Sequence, residues 1–249
     1  MILCLLAAPL AAQNAGETCL SPPFDEGPAE LRSMVADLRE SVADFPSLNA
    51  ALADPMLDIC VSDSLFGELG YLEADTARIV LRADLEPGLR QAVLLHELRH
   101  LDQLRLGACP SPALSMRENA RAVFAIEADA NAIVLLVAWH LKTDGDPQVW
   151  QALENWDSTT DIAAAFATEM EATADPARAA AAAFAAWYAS DIRRERYYLS
   201  SCNAYLDRQD RMHSLAGTQQ VEAGYFTALC RMPDGATYPC AEPEDAVRR

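Results

Sequence analysis

The sequence predicts a mostly α protein (α+β) with one small antiparallel or mixed sheet and a helical C-terminal portion. Three observations carry this. Apolar residues recur at helical spacing over long stretches, as in Leu31, Met34, Val35, Leu38 and Val42. Runs that read as strands are few and short, and all lie before residue 83. Clusters of Gly and Pro at 107–112 and 143–147 fall where helices should stop. A chain of 249 residues is long enough for one sizeable core, or for two lobes around a cleft.

Taken in order, residues 1–12 carry no charged side chain, and Ile2 to Ala12 is an apolar run ending in Ala11-Ala12. This fits a short secretory signal peptide cleaved near Ala12. Residues 13–30 read as irregular, with Cys19 as a tether. Leu31 to Phe45 reads as a helix and Leu48 to Leu57 as a shorter one. Ile59-Cys60-Val61 reads as a brief strand, and Ala77 to Arg82 as another, after the polar turn Glu73-Ala74-Asp75-Thr76. Asp84-Leu85-Glu86-Pro87-Gly88 is a turn into a helix from about Leu89 to Leu106. A long core helix spans about Ser115 to Lys142. Helices then follow at 149–156, 161–173 and from Pro176 to about Tyr198, with shorter ones at 205–213 and 221–230 and an irregular, disulfide-stapled tail beyond 233. The break at Thr143 to Pro147 divides the mature chain into a metal-binding portion, 13–145, and a helical portion, 146–249.

Charge and cysteines narrow the function. The chain has 37 acidic and 19 basic residues and a formal charge of −18. Such a surface repels phosphate backbones and anionic lipid heads, so nucleic acid is not an expected partner. Past the signal, no run of charge-free apolar residues reaches spanning length, and no membrane insertion is expected. Cys4 lies inside the signal. Six cysteines remain (Cys19, Cys60, Cys109, Cys202, Cys230 and Cys240), an even number that suits three disulfides in an exported protein, with the pairing left open. Export implies a secreted or periplasmic location.

The chemistry is concentrated in Leu95-His96-Glu97-Leu98-Arg99-His100. On a helix, residues four apart share a face, so His96 and His100 can grip one zinc ion while Glu97 addresses the water. A catalytic zinc takes a third protein ligand and keeps one position open. Glu127 is the strongest candidate: it lies in the apolar run Ala125-Ile126-Glu127-Ala128, one loop and one antiparallel return after His100. A carboxylate in such a stretch needs a partner, and zinc supplies one. Rival ligands are His140, His213 and Glu118. Asn131, one turn beyond Glu127, is positioned to hydrogen-bond a zinc-bound imidazole. Asp129 is expected to face solvent or Arg121, and Asp102 to pair with a nearby cation. In hydrolysis Glu97 would move the water's proton to the leaving amine. A further donor is needed at the oxyanion, and among Tyr188, Arg194, Arg196, Tyr197, Tyr198 and His213 the first choices are His213 and Tyr198. The strand Ile79–Leu81, just ahead of the motif helix, offers an edge with which an extended peptide could pair.

Over residues 66–142 the chain resembles the zincin metallopeptidases. The Glu127 arrangement is similar to the gluzincin branch, where a downstream helix supplies a glutamate. The wording around His96 together with Glu127-Ala128-Asp129-Ala130 is similar to uncharacterised bacterial metallopeptidase families. The resemblance implies a zincin-like core, zinc held by His96, His100 and Glu127, and Glu97 as the base. One departure stands out: many gluzincins carry an aspartate, which orients a zinc histidine, where this chain has Asn131. The branch that takes a third histidine after a Gly-x-x-His is not expected, because Gln103 and Leu106 stand at those two places. The expected activity is zinc-dependent hydrolysis of peptide bonds in a peptide or protein substrate. The alternatives are a zinc amidase acting on cell-wall peptides and an exported zinc-binding module without turnover, its fourth position closed by Asp102 or His213. Oligomeric state is not readable.

Overall fold

The computed structural model of this chain describes residues 16–244, 246 and 247. The expected signal peptide lies outside them. The sheet has four strands, β1 (Glu17–Leu20), β2 (Asp58–Ser62), β3 (Gly70–Glu73) and β4 (Arg78–Arg82), in the order β1-β2-β4-β3. β1 runs antiparallel to β2, β2 parallel to β4 with Ile59 opposite Ile79, and β3 antiparallel to β4 with Leu72 opposite Ile79. The sheet is therefore mixed.

Two expectations change here. The stretch 13–30 contains β1, fastened to β2 by a disulfide between the directly opposed Cys19 and Cys60. The strand carrying Ile79–Leu81 is interior rather than an edge. Ile79, Val80 and Leu81 are all buried, as a strand covered on both faces requires. The edge belongs to β3, which sits beside the motif helix.

That helix, α3 (Pro87–Arg105), opens with proline at its first turn, where no backbone N–H is needed. It follows α1 (Ala29–Ser41) and α2 (Pro46–Leu52) in the chain and packs on β3, β4 and α2. Its neighbour α4 (Met116–Thr143) is capped by Ser115, whose Oγ accepts from the Glu118 N–H at 3.3 Å. Length and composition alone would let α4 cross a bilayer, but 89% of its most apolar window is buried inside the protein. It is the axis of the core, touched by α3, α5 (Gln148–Asn155), α6 (Thr160–Thr173) and α7 (Pro176–Ala189).

A single helix from Pro176 to Tyr198 does not form. Ser190 takes an extended conformation (φ −88°, ψ 111°), and its Oγ caps a new helix, α8 (Asp191–Met212), at the Arg193 N–H. Ser-Asp is an N-cap signal that the helix-forming alanines upstream conceal. A short α9 (Tyr225–Leu229) precedes the tail, closed by Cys230–Cys240. Cys202 keeps a free, half-buried thiol, so six fully paired cysteines are not formed. Disulfides such as Cys19–Cys60 and Cys230–Cys240 suit an oxidising, extracytoplasmic environment. One apolar core runs from Leu20 to Val247, continuous across the composition change near residue 145. A mostly helical chain with a small mixed sheet ahead of its metal-site helices is the zincin-like architecture the sequence predicts.

Candidate metal centre

His96 and His100 stand one turn apart on α3, and Glu127 faces them from α4. The two Nε2 atoms are 3.0 Å apart, and Glu127 places Oε2 3.5 Å from His96 Nε2 and Oε1 3.5 Å from His100 Nε2. A tetrahedral zinc with bonds of about 2.0–2.2 Å wants its donor atoms roughly 3.3–3.5 Å apart. The two carboxylate–imidazole distances meet that spacing, the two Nε2 atoms stand somewhat closer, and all three donors lie within 4.8 Å of one another. His100 and Glu127 are fully buried, while the His96 side chain keeps 13% of its surface. The site is therefore closed below and reachable from one side.

Polar satisfaction makes the same point. Buried carboxylates are normally hydrogen-bonded. No protein hydrogen bond of good geometry reaches either oxygen of Glu127, or either oxygen of Glu97 beside it. Two such carboxylates next to two converging imidazoles form a donor set that a divalent cation would complete. Burial, opposed by the charge of His100, pushes Glu97 up to about 8. Burial also acts to raise Glu127, but the two histidines outweigh it and hold that carboxyl well below the usual range. Burial lowers His96. His100 is raised, because Glu127 and Glu97 outweigh the same burial.

His96 and Glu97 form part of the floor of a cleft of about 640 Å3. Ala92 and Val93 of α3 and Val134 of α4 continue the floor. One rim is the approach to β3, Gly67 to Gly70; the other is α8, with Ile192, Arg193, Arg196 and Tyr197. Trp156 to Thr159 and Trp187 line it as well. The cleft thus lies beside β3, not along Ile79–Leu81.

Several expected roles move. Tyr198 does not line the cleft; its hydroxyl lies by Cys202, whose proximity pushes the phenol's pKa up and so suppresses its ionisation. One residue is about 100° of helix, and that rotation brings Tyr197 into the cleft instead. Burial, then the charges of Glu127 and Glu97, push the Tyr197 phenol well above its ordinary value. His213 is exposed at the left-handed C-cap of α8 (φ 48°) and is not part of the cleft wall. Asn131 lines the cleft, but its amide donates to the Glu127 carbonyl at 2.9 Å, the ordinary i−4 contact of a helical side chain, and holds no imidazole.

Gln103 holds the imidazole in its place. Its Oε1 lies 2.7 Å from His100 Nδ1. The sequence signal was available, since Gln103 follows His100 by three positions on one helical face. Asp129, expected to face solvent or Arg121, is fully buried and accepts from Gln103 Nε2 at 2.6 Å. Arg121 instead pairs with Glu118 and Glu242, which removes Glu118 from the ligand candidates. His140 lies near Asp44 and Asp144 at the far end of α4. Asp102 pairs with Arg99, as anticipated, and accepts from Ser47 Oγ at 2.8 Å. Neither Asp102 nor His213 stands where it would close a fourth coordination position.

Comparison with known proteins adds a family. A family model described as "Putative metallopeptidase family (DUF6782)" matches residues 11–240. No curated protein and no solved structure matches the chain.

Proposed function

This chain belongs to that family, and on that premise we propose that it is a zinc-dependent peptidase of gluzincin type, exported to the periplasm or beyond the cell. The observation that carries the reading is the set of buried carboxylates without hydrogen bonds, Glu127 facing two histidines and Glu97 at the floor of an open cleft. His96, His100 and Glu127 would hold the metal. When bound, zinc supplies Lewis acidity to a water and to the scissile carbonyl.

The chain's own groups do the rest. Glu97 takes a proton from the attacking water and passes it to the leaving amine, so that hydroxyl adds to carbon and the proton to nitrogen. Tyr197, on the wall opposite β3, turns its hydroxyl toward the same carboxylates and is the donor for the developing oxyanion. The exposed edge of β3, one rim of the cleft, receives the substrate as an added strand. The substrate is a peptide or a protein segment entering extended. A surface of charge −18 disfavours nucleic acid and anionic lipid.

The alternative of a metal-binding module without turnover needs a fourth protein ligand, but Asp102 pairs with Arg99 and His213 is exposed away from the cleft. Cell-wall peptides present the same amide chemistry, so an amidase differs only in substrate. The test is metal content and digestion of a peptide library by the parent protein and by Glu97→Gln. We expect about one zinc per chain in both and cleavage by the parent alone. Zinc without cleavage in the parent, across peptides and cell-wall fragments, would sink the hydrolase reading.

A further inference from the structure

The hold on His100 continues past Gln103. The Gln103 amide donates to Asp129 Oδ2 at 2.6 Å and to the Ile126 carbonyl at 2.9 Å. Both partners only accept, so the amide nitrogen must face them and the amide oxygen must face His100. That oxygen takes the Nδ1 proton and leaves the Nε2 lone pair directed at Glu127 and His96.

Asp129 is itself fixed by one further residue of α3 and one residue beyond both helices. It accepts from Arg99 Nε at 2.8 Å, Arg99 Nη2 at 3.1 Å and Tyr238 Oη at 2.7 Å. Arg99, 1% exposed, is itself shared among several acceptors: it pairs with Asp102 and donates to the carbonyls of Arg231 at 2.9 Å and Leu229 at 3.4 Å. Arg231 and Tyr238 belong to the tail that Cys230–Cys240 closes across ten positions, and Leu229 is the last residue of α9, just ahead of it. A Met232–Ala236 turn bond and an Arg231–Thr237 bridge shape that loop. The tail therefore reaches the metal centre through a chain of hydrogen bonds with no gap: Tyr238 to Asp129, Asp129 to Gln103, Gln103 to His100.

We propose that Gln103, Asp129, Arg99 and Tyr238 are positioning residues through which the disulfide-closed tail holds His100 in its metal-binding tautomer, so that zinc affinity depends on a loop more than a hundred residues away in sequence. The proposal rests on the metal assignment above and is independent of turnover. A half-satisfied buried network is costly, and here each link depends on the next.

The experiment measures zinc affinity by competition with a chromophoric chelator, and the visible spectrum of the cobalt-substituted protein, on the full chain. Gln103→Leu should weaken zinc about 10–100-fold and shift the cobalt bands. Tyr238→Phe, which removes one oxygen and keeps the packing, should weaken it roughly 2–10-fold, as loss of one hydrogen bond would. Cys230→Ser with Cys240→Ser should weaken it in the same direction. In the Gln103→Leu background Tyr238→Phe should add nothing, because the link between them is already cut. Parent affinity and parent cobalt bands in Tyr238→Phe would overturn the proposal, and so would losses that simply add. If zinc binding follows the expected pattern while no peptide is cut, the relay stands and the hydrolase reading alone falls. If the parent binds no zinc, both fall.

Discussion

Glu127 and Asp129 sit two positions apart on α4, and both have no exposed surface, yet the protein treats them oppositely. Two positions rotate a helical side chain by roughly 200°. Asp129 therefore looks away from the cleft toward the C-terminal tail, and Arg99, Gln103 and Tyr238 all donate to it. Glu127 looks toward the cleft, where two imidazoles stand 3.5 Å from it and the Tyr197 phenol lies close by. Burial alone does not reveal what a carboxylate is for. Its partners do: a saturated anion holds structure together, and one left among lone pairs is shaped for a cation.

That contrast can be broken or sharpened by substitution. The largest effect is expected on the cleft side, where Glu97→Gln should keep the metal and cut the turnover rate by about 10²–10⁴-fold, read from initial rates at saturating peptide. A full-rate Glu97→Gln protein would remove the base from the argument. On the tail side Asp129→Ala should cost about 3–5 kcal/mol of folding free energy, because it strips the buried Arg99 of a counter-charge; urea unfolding of metal-stripped protein measures it. Glu127→Gln under the same conditions should lose less than Asp129→Ala, since no well-formed hydrogen bond disappears, while its zinc retention in dialysis falls far below that of the parent. Should the two variants unfold alike, the division of labour between the carboxylates is not real. Tyr197→Phe should lower the maximal rate with zinc content unchanged, whereas Tyr198→Phe should leave the rate alone. The smallest effect belongs to Gly70→Ala. A methyl there would lie 2.8 Å from Val93 and 2.9 Å from Leu81, and this overpacking should cost roughly 1–3 kcal/mol and shift β3 on α3. Thermal unfolding reports the cost, and a raised KM for peptide reports the shift.

The parts of this molecule legible in its sequence are those written in local pattern. His96, Glu97 and His100 lie on consecutive turns, and Glu127 betrays itself as an acid in an apolar helix. The long helices followed from their spacing and their Gly and Pro stops. What escaped were properties set by neighbours distant in the chain. β4 was taken for an edge although its run Ile79-Val80-Leu81 is apolar on both faces, the mark of an interior strand. Tyr197 and Tyr198 are not distinguishable in sequence, because the break at Ser190, which sets the phase of α8, is masked by alanines with high helix propensity. The sequence points Asp129 to solvent or Arg121, because Arg99 and Tyr238, which surround it, are 30 and 109 positions away. Gln103 was within reach, three positions past His100, but only the buried geometry reveals which way its amide must point.

Ser190 is the joint between α7 and α8. Arg193, the first turn of α8, donates back across the joint to the carbonyls of Trp187 at 2.9 Å and Ala186 at 3.3 Å, and across to Ser158 at 3.1 Å and Asp161 at 2.6 Å. One guanidinium thus latches three segments that together form a wall of the cleft. That one side chain sets the width of the opening above His96 and Glu97, so a change at Arg193 reaches the cleft without altering His96, His100 or Glu127.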